Sequence, residues 1–97
     1  MAEYRLSISA ENDLAQIADY TIATFGIEQS RRYRDGLNTC FQTLADHPMF
    51  GRSASLDLAP ELRRYEYHSH GVFYMPELRD ILIVRVLHKN MDAPRHL

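Results

Sequence analysis

The sequence predicts a single α+β domain of order β-α-α-β-β-β, with a helix hairpin packed on one face of a mostly antiparallel four-stranded sheet. Three observations carry this. Two long stretches of helical periodicity, joined only by Gly26, fill residues 9–46. Three runs rich in β-branched and aromatic residues fill 62–88. A chain of 97 residues buries about 60–65% of its unfolded surface, enough for one core.

Tyr4, Leu6 and Ile8 alternate with Arg5 and Ser7, the pattern of a short strand with one buried face. Ser9 is read as the cap of the first helix, with Glu11 and Asp13 in its first turn, where the helix dipole favours negative charge. Leu14, Ile17, Ala18, Thr21 and Phe25 recur at helical spacing and form one apolar stripe. Gly26 follows as the residue that ends the helix in a left-handed conformation. A second helix is expected from about Ile27 to Asp46, with Ser30, Tyr33, Leu37, Cys40, Phe41 and Leu44 on its stripe. Gly36 within it is expected to cost about 1 kcal/mol relative to alanine. His47-Pro48 ends it, because the residue before proline avoids helical geometry. One glycine between two such helices makes them antiparallel neighbours.

Residues 48–61 read as a loop, with Leu56 and Leu58 anchoring it to the core. Strands are expected at 62–68, 71–75 and 81–88, the first two joined by a tight hairpin at Ser69-His70. Unbroken alternation in the last strand places Leu82, Val84, Val86 and His88 beneath the helices. Ile81, Ile83, Arg85 and Leu87 then lie on a partly open face, where Arg85 keeps its head in water or pairs with Glu66 or a partner's anion. The last ten residues are polar and lack the spacing of a core element.

Composition narrows the function classes. The longest apolar run is about four residues, far below the ~20 that span a bilayer, and no basic-then-apolar leader opens the chain, so the expected compartment is the cytoplasm. Cys40 is the sole cysteine and reads as a buried apolar residue. His68-Ser-His70 has a metal-like spacing but no third ligand, so no metal and no cofactor are expected. Net charge is −2. Residues 1–48 carry four Arg against seven acidic residues, whereas 49–97 carry six Arg and one Lys against six acidic residues and four of the five His. That balance is too weak to announce nucleic acid. Arg63, Arg64, Arg85 and Lys89 form a candidate basic patch suited to carboxylate or phosphate. No phosphate loop, GxSxG or HExxH is present.

Four stretches in order, "YRLSISAENDLAQIADYTIATFG", "HPMFGR", "LRRYEYHSHGVFYM" and "ILIVRVLHKNMD", resemble the ParE toxins of the RelE/ParE superfamily across nearly the whole chain. The most specific parts are "HSHGVFY" and the ending "VRVLHKNMDAPRHL". The resemblance implies one ParE-like toxin domain over residues 1–97, of the same β-α-α-β-β-β fold, from a type II toxin–antitoxin pair. It implies a target, DNA gyrase, stalled by binding with DNA cleaved and without catalytic residues, and a ParD-like antitoxin carrying a DNA-binding dimer domain. The chain itself would then contact neither DNA nor membrane. His88, Lys89, Asn90, Met91, Arg95 and His96 are the candidate target contacts. Tyr20, Ile22 and Ile27, which fall off the helix stripes, with Arg64 and Arg85, are the candidate antitoxin contacts.

Two other readings stand beside it. RelE-type relatives cut messenger RNA on the ribosome, which needs proton transfer and charge stabilisation together; here Arg63, Arg85 and His88 would have to serve. The sequence departs from that pattern. His70-Gly71-Val72 stands where such nucleases tend to place an arginine, Lys89-Asn90-Met91 follows the last strand, and no tyrosine comes after Tyr74. The third reading is an orphan interaction module without toxicity.

Overall fold

The computed structural model describes residues 2–57 and 59–97; the expected anchor Leu58 lies outside them. The elements are β1 (Tyr4–Leu6), α1 (Ile8–Phe25), α2 (Ile27–Asp46), β2 (Arg52–Ser53), β3 (Arg63–Tyr67), β4 (His70–Pro76), β5 (Ile81–His88) and α3 (Ala93–His96). The sheet order is β1-β5-β4-β3-β2. β1 runs parallel to β5 and the other pairings are antiparallel. The two-residue β2 is a fifth strand added to the four expected; it pairs Arg52 with Arg64 and Ser53 with Arg63.

Ser7, not Ser9, caps α1. Its Oγ accepts the Ala10 N–H at 2.9 Å and donates to the Val84 carbonyl at 2.7 Å. One hydroxyl thus starts the helix and ties it to β5 just where β1 ends. Gly26, at φ 92°, closes α1 by donating its N–H to the Ile22 carbonyl and opens α2 directly. A side chain is strained in that backbone region, so glycine allows the reversal to happen in one residue. Gly36 has a different purpose from a mere break in helix propensity: a Cβ there would run into the Tyr67 hydroxyl.

The α2 stripe behaves as expected. Leu37, Cys40, Phe41 and Leu44 are buried against Val72, Tyr74, Ile81, Ile83 and Val86. Burial pushes the Cys40 thiol up to about 11, which keeps it protonated and unreactive. Phe25 departs from its expected place in the α1 stripe: it is the last residue of the helix and is 65% exposed.

The phase of β5 also departs from expectation. Phe73 pairs with Arg85 but Tyr74 pairs with Ile83, so Val84 is an extra residue and the strand bulges. Ile81 and Ile83 therefore face the helices, not an open face, while Val84 turns away from them. After the bulge the expected phase holds, with Val86 inward and Leu87 on the opposite side. That opposite side carries its own small core of Leu62, Phe73 and Leu87, flanked by Ala54, Leu56, Val84 and Ala93. The loop before β3 and the tail cover it, so this face is less open than the sequence suggested. The β3–β4 turn is His68-Ser69, one residue earlier than expected, with His68 at φ 51° and His70 already paired in the sheet.

Candidate functional site: a saturated strand edge and a histidine-lined groove

β1 covers β5 only from Ile81 to Ile83. Past that point the β5 edge needs other partners, and α1 supplies them. Asp13 accepts the Val86 N–H at 2.9 Å and receives Arg85 through Nε and Nη2, each at 2.8 Å. Asp13 is buried and the Arg85 side chain is mostly buried. The hydrogen bonds that Arg85 donates to Asp13 raise its pKa and fix its charge. The remaining Arg85 nitrogen, Nη1, donates to the His96 carbonyl at 2.6 Å and holds the tail. Arg85 therefore pairs with Asp13, not with the expected Glu66. Glu66 is taken by Arg64 at 2.5 Å and Arg52 at 3.3 Å.

Three residues further along β5 the situation is different. His88 and His70 are direct partners across β4–β5, with ring centroids 5.5 Å apart. Tyr33 reaches down from α2 and its hydroxyl lies 2.6 Å from His70 Nδ1. Burial pushes that hydroxyl up to about 12, so it is a phenol and a donor at neutral pH. Burial first, and then the nearby His88, hold the His70 pKa below its ordinary value. His88 Nδ1 accepts the Asn90 N–H at 3.1 Å. The two rings form one end of a groove of about 620 Å³ walled by Ile17, Tyr20, Phe25 and Tyr33.

The residues proposed from the sequence fall into separate places. Tyr20, Ile22 and Ile27 are exposed at the tip of the helix hairpin, joined there by Phe25. Arg64 lies on the far side of the sheet, its guanidinium 4.9 Å from the Phe73 ring centre, so it does not share a surface with them. Arg85 is mostly buried, against Asp13. Among the candidate target contacts, His88 lines the groove, and the Lys89 N–H donates to the Ser69 carbonyl. Met91 is exposed, Arg95 pairs with Asp92 at 3.3 Å in solvent, and the His96 carbonyl is held by Arg85.

The three residues of the nuclease alternative do not converge. Arg63 donates from Nε and Nη2 to the Gly51 carbonyl, and from Nη2 to that of Met49. It pairs across from Tyr74, whereas His88 lies level with Tyr67 and His70, a separation of about 13 Å along the strands at their usual rise. Among the described residues no group of three metal-binding side chains gathers, and no helix is long and apolar enough to cross a membrane.

Sequence reasoning missed Asp13, Tyr33 and His70 as site residues. In the sequence the helix dipole accounts for Asp13, the apolar stripe for Tyr33 and the turn for His70. The available signal for Asp13 was Arg85 itself: a guanidinium in an apolar strand requires a carboxylate, but the sequence does not say which of thirteen.

A helix hairpin across a mixed five-stranded sheet defines a class of small α+β folds. A chain from the chromosomal ParDE TA system from P. aeruginosa has it, with a TM-score of 0.76 at 17% identity, covering 91% of this chain and 96% of that one. At that identity the likeness speaks for the fold. The profile of the family described as ParE toxin of type II toxin–antitoxin system, parDE, matches residues 4–93, and the chain belongs to that family. Toxin ParE1 of Caulobacter vibrioides is 38% identical over 97 residues, 100% of this chain and 99% of the relative. Toxin ParE1 of Mycobacterium tuberculosis is 32% identical over 97 residues, 99% and 98%. Toxin ParE of Escherichia coli is 36% identical over 100 residues, 100% and 94%.

Proposed function

We propose that this chain is the toxin of a type II pair that binds DNA gyrase, stalls it with DNA cleaved, and is neutralised by a ParD-like antitoxin that covers it. The family match over residues 4–93, with relatives aligned along almost their full length, carries this reading. Binding is favoured over cutting because Arg63, Arg85 and His88 stand apart and both arginines are already engaged. The exposed apolar tip, Tyr20, Ile22, Phe25 and Ile27, suits a covering antitoxin segment. The tail from His88 to Leu97 suits the target contact, and it is moored through Arg85 and Ala93. The site of action is the cytoplasm, where gyrase works.

The test is expression of the chain alone and together with the product of the adjacent reading frame. Growth arrest by the chain alone, relieved by a small acidic neighbour that co-purifies with it, is expected. Unimpaired growth with folded chain in the cell would overturn the toxin reading in favour of an inert module.

A further inference from the structure

The floor of the groove has a hydrogen-bonding capacity that the fold does not use. The Asn90 N–H can only donate, so His88 Nδ1 accepts and the neutral ring carries its proton on Nε2. Tyr33 stands between two acceptors, His70 Nδ1 at 2.6 Å and the Tyr67 carbonyl at 3.4 Å. In the tautomer in which the phenol donates along the shorter bond, His70 carries its own proton on Nε2 as well. Both rings line the same groove and are neighbours across one strand pair. Two ring N–H donors therefore stand at one end, and Ile17, Tyr20 and Phe25 supply apolar walls.

We propose that the His70–His88 end of this groove is a carboxylate subsite, which seats an aspartate or glutamate of an acidic, apolar-anchored segment of the neutralising partner. This rests on the reading above that a partner segment covers the toxin. A nucleic acid is the poorer occupant, because no arginine or lysine lines the groove among the described residues, and phosphate backbones are held by such cations. A peptide with one carboxylate between apolar side chains matches both the donors and the walls.

The subsite is pH-dependent by construction. His70 faces Tyr33 from α2, His88 from β5 and, at longer range, Asp13 from α1, which is already committed to Arg85. His68 and Tyr67 pack on Tyr33 from the β3 end, and Tyr20 lines the groove from α1. When His70 takes a proton its Nδ1 becomes a donor to the Tyr33 oxygen, and the phenol turns its own proton to Tyr67. The cluster thus accepts the charge without an orphaned group. In the free protein that charge is disfavoured; a carboxylate beside it reverses this. Binding takes up protons, so it tightens as pH falls through the histidine range, by up to about tenfold per unit for each proton.

The test uses acetyl-Ser-Leu-Ala-Glu-Leu-Ser-amide, the same peptide with Gln for Glu, inorganic phosphate and hexauridylate, each titrated into the full chain labelled with ¹⁵N-histidine. The Glu peptide is expected to shift the His70 and His88 signals. It should bind at least about fivefold tighter than the Gln peptide at pH 6.0, a ratio that shrinks by pH 8.0 as the proton taken up at His70 on binding is lost. H88L, which removes one of the two donors, should shrink the ratio, while Y20A should weaken both peptides alike; circular dichroism of each variant establishes that it is folded. Equal binding of the two peptides, binding of neither, or a tighter response to phosphate or hexauridylate overturns the proposal. No gyrase or antitoxin enters the experiment, so such a failure leaves the toxin assignment standing.

Discussion

Arg85 and His88 are three residues apart on one strand, and they have opposite relations to the rest of the chain. The guanidinium of Arg85 is spent: Asp13 takes two of its nitrogens and the tail takes the third. His88 gives one nitrogen to the turn that follows it and keeps the other for a groove. The same division holds more widely. Arg5, Arg52, Arg63, Arg64 and Arg95 are each paired with a carboxylate or a carbonyl. A cationic residue in the sequence is therefore a poor guide to a binding site here, and a ring nitrogen left over at a groove is a better one.

The largest test of that contrast is at the saturated end. D13A or R85A leaves a mostly buried partner uncompensated, and each should cost about 3 kcal/mol or more of stability, read from urea denaturation. H88Q, by contrast, should unfold within about 0.5 kcal/mol of the parent chain, as substitutions away from buried networks do. Equal losses would erase the distinction between the two residues.

A middle case is Tyr74. Its buried hydroxyl accepts the Gly51 N–H at 2.9 Å and donates to the Pro48 carbonyl at 2.6 Å, pinning the loop after α2. Y74F should cost about 1–2 kcal/mol, because the Gly51 N–H loses its partner. Hydrogen exchange at Gly51 should accelerate while exchange at β5 amides changes less.

The smallest expected effect is a pH dependence. Because the folded chain holds the His70 pKa below its unfolded value, His70 contributes stability that is present above about pH 6.5 and is lost as pH falls through its lowered folded value. The melting temperature of the parent chain should decline more steeply than that of H70Q between pH 7 and 5. Parallel curves would show that the ring is not held neutral by its surroundings.

What the sequence revealed follows the range of the interaction. The α2 stripe and the span of β5 are local patterns, and both were legible down to their end residues. The bulge was not, because an extra residue at Val84 reverses the phase without breaking the apolar run. Asp13 lies 72 residues from Arg85, so no spacing rule could pair them. Tyr33 and His70 each had a satisfactory local explanation, as a core residue and a turn residue, and only the packing of α2 on the β3–β4 turn gave them a joint one. The tail misled for a related reason: it has no stripe of its own, yet Ala93 and the His96 carbonyl are enough to moor it.

The proposed action of this chain is the binding of gyrase. It is tested most directly by incubating purified chain with gyrase, ATP and supercoiled plasmid, then denaturing the enzyme and resolving the DNA. Linear plasmid that rises with toxin concentration, and is suppressed by stoichiometric antitoxin, is the predicted result. Supercoiling that proceeds with no added cleavage by active, folded chain, while message on translating ribosomes is cut, would contradict it.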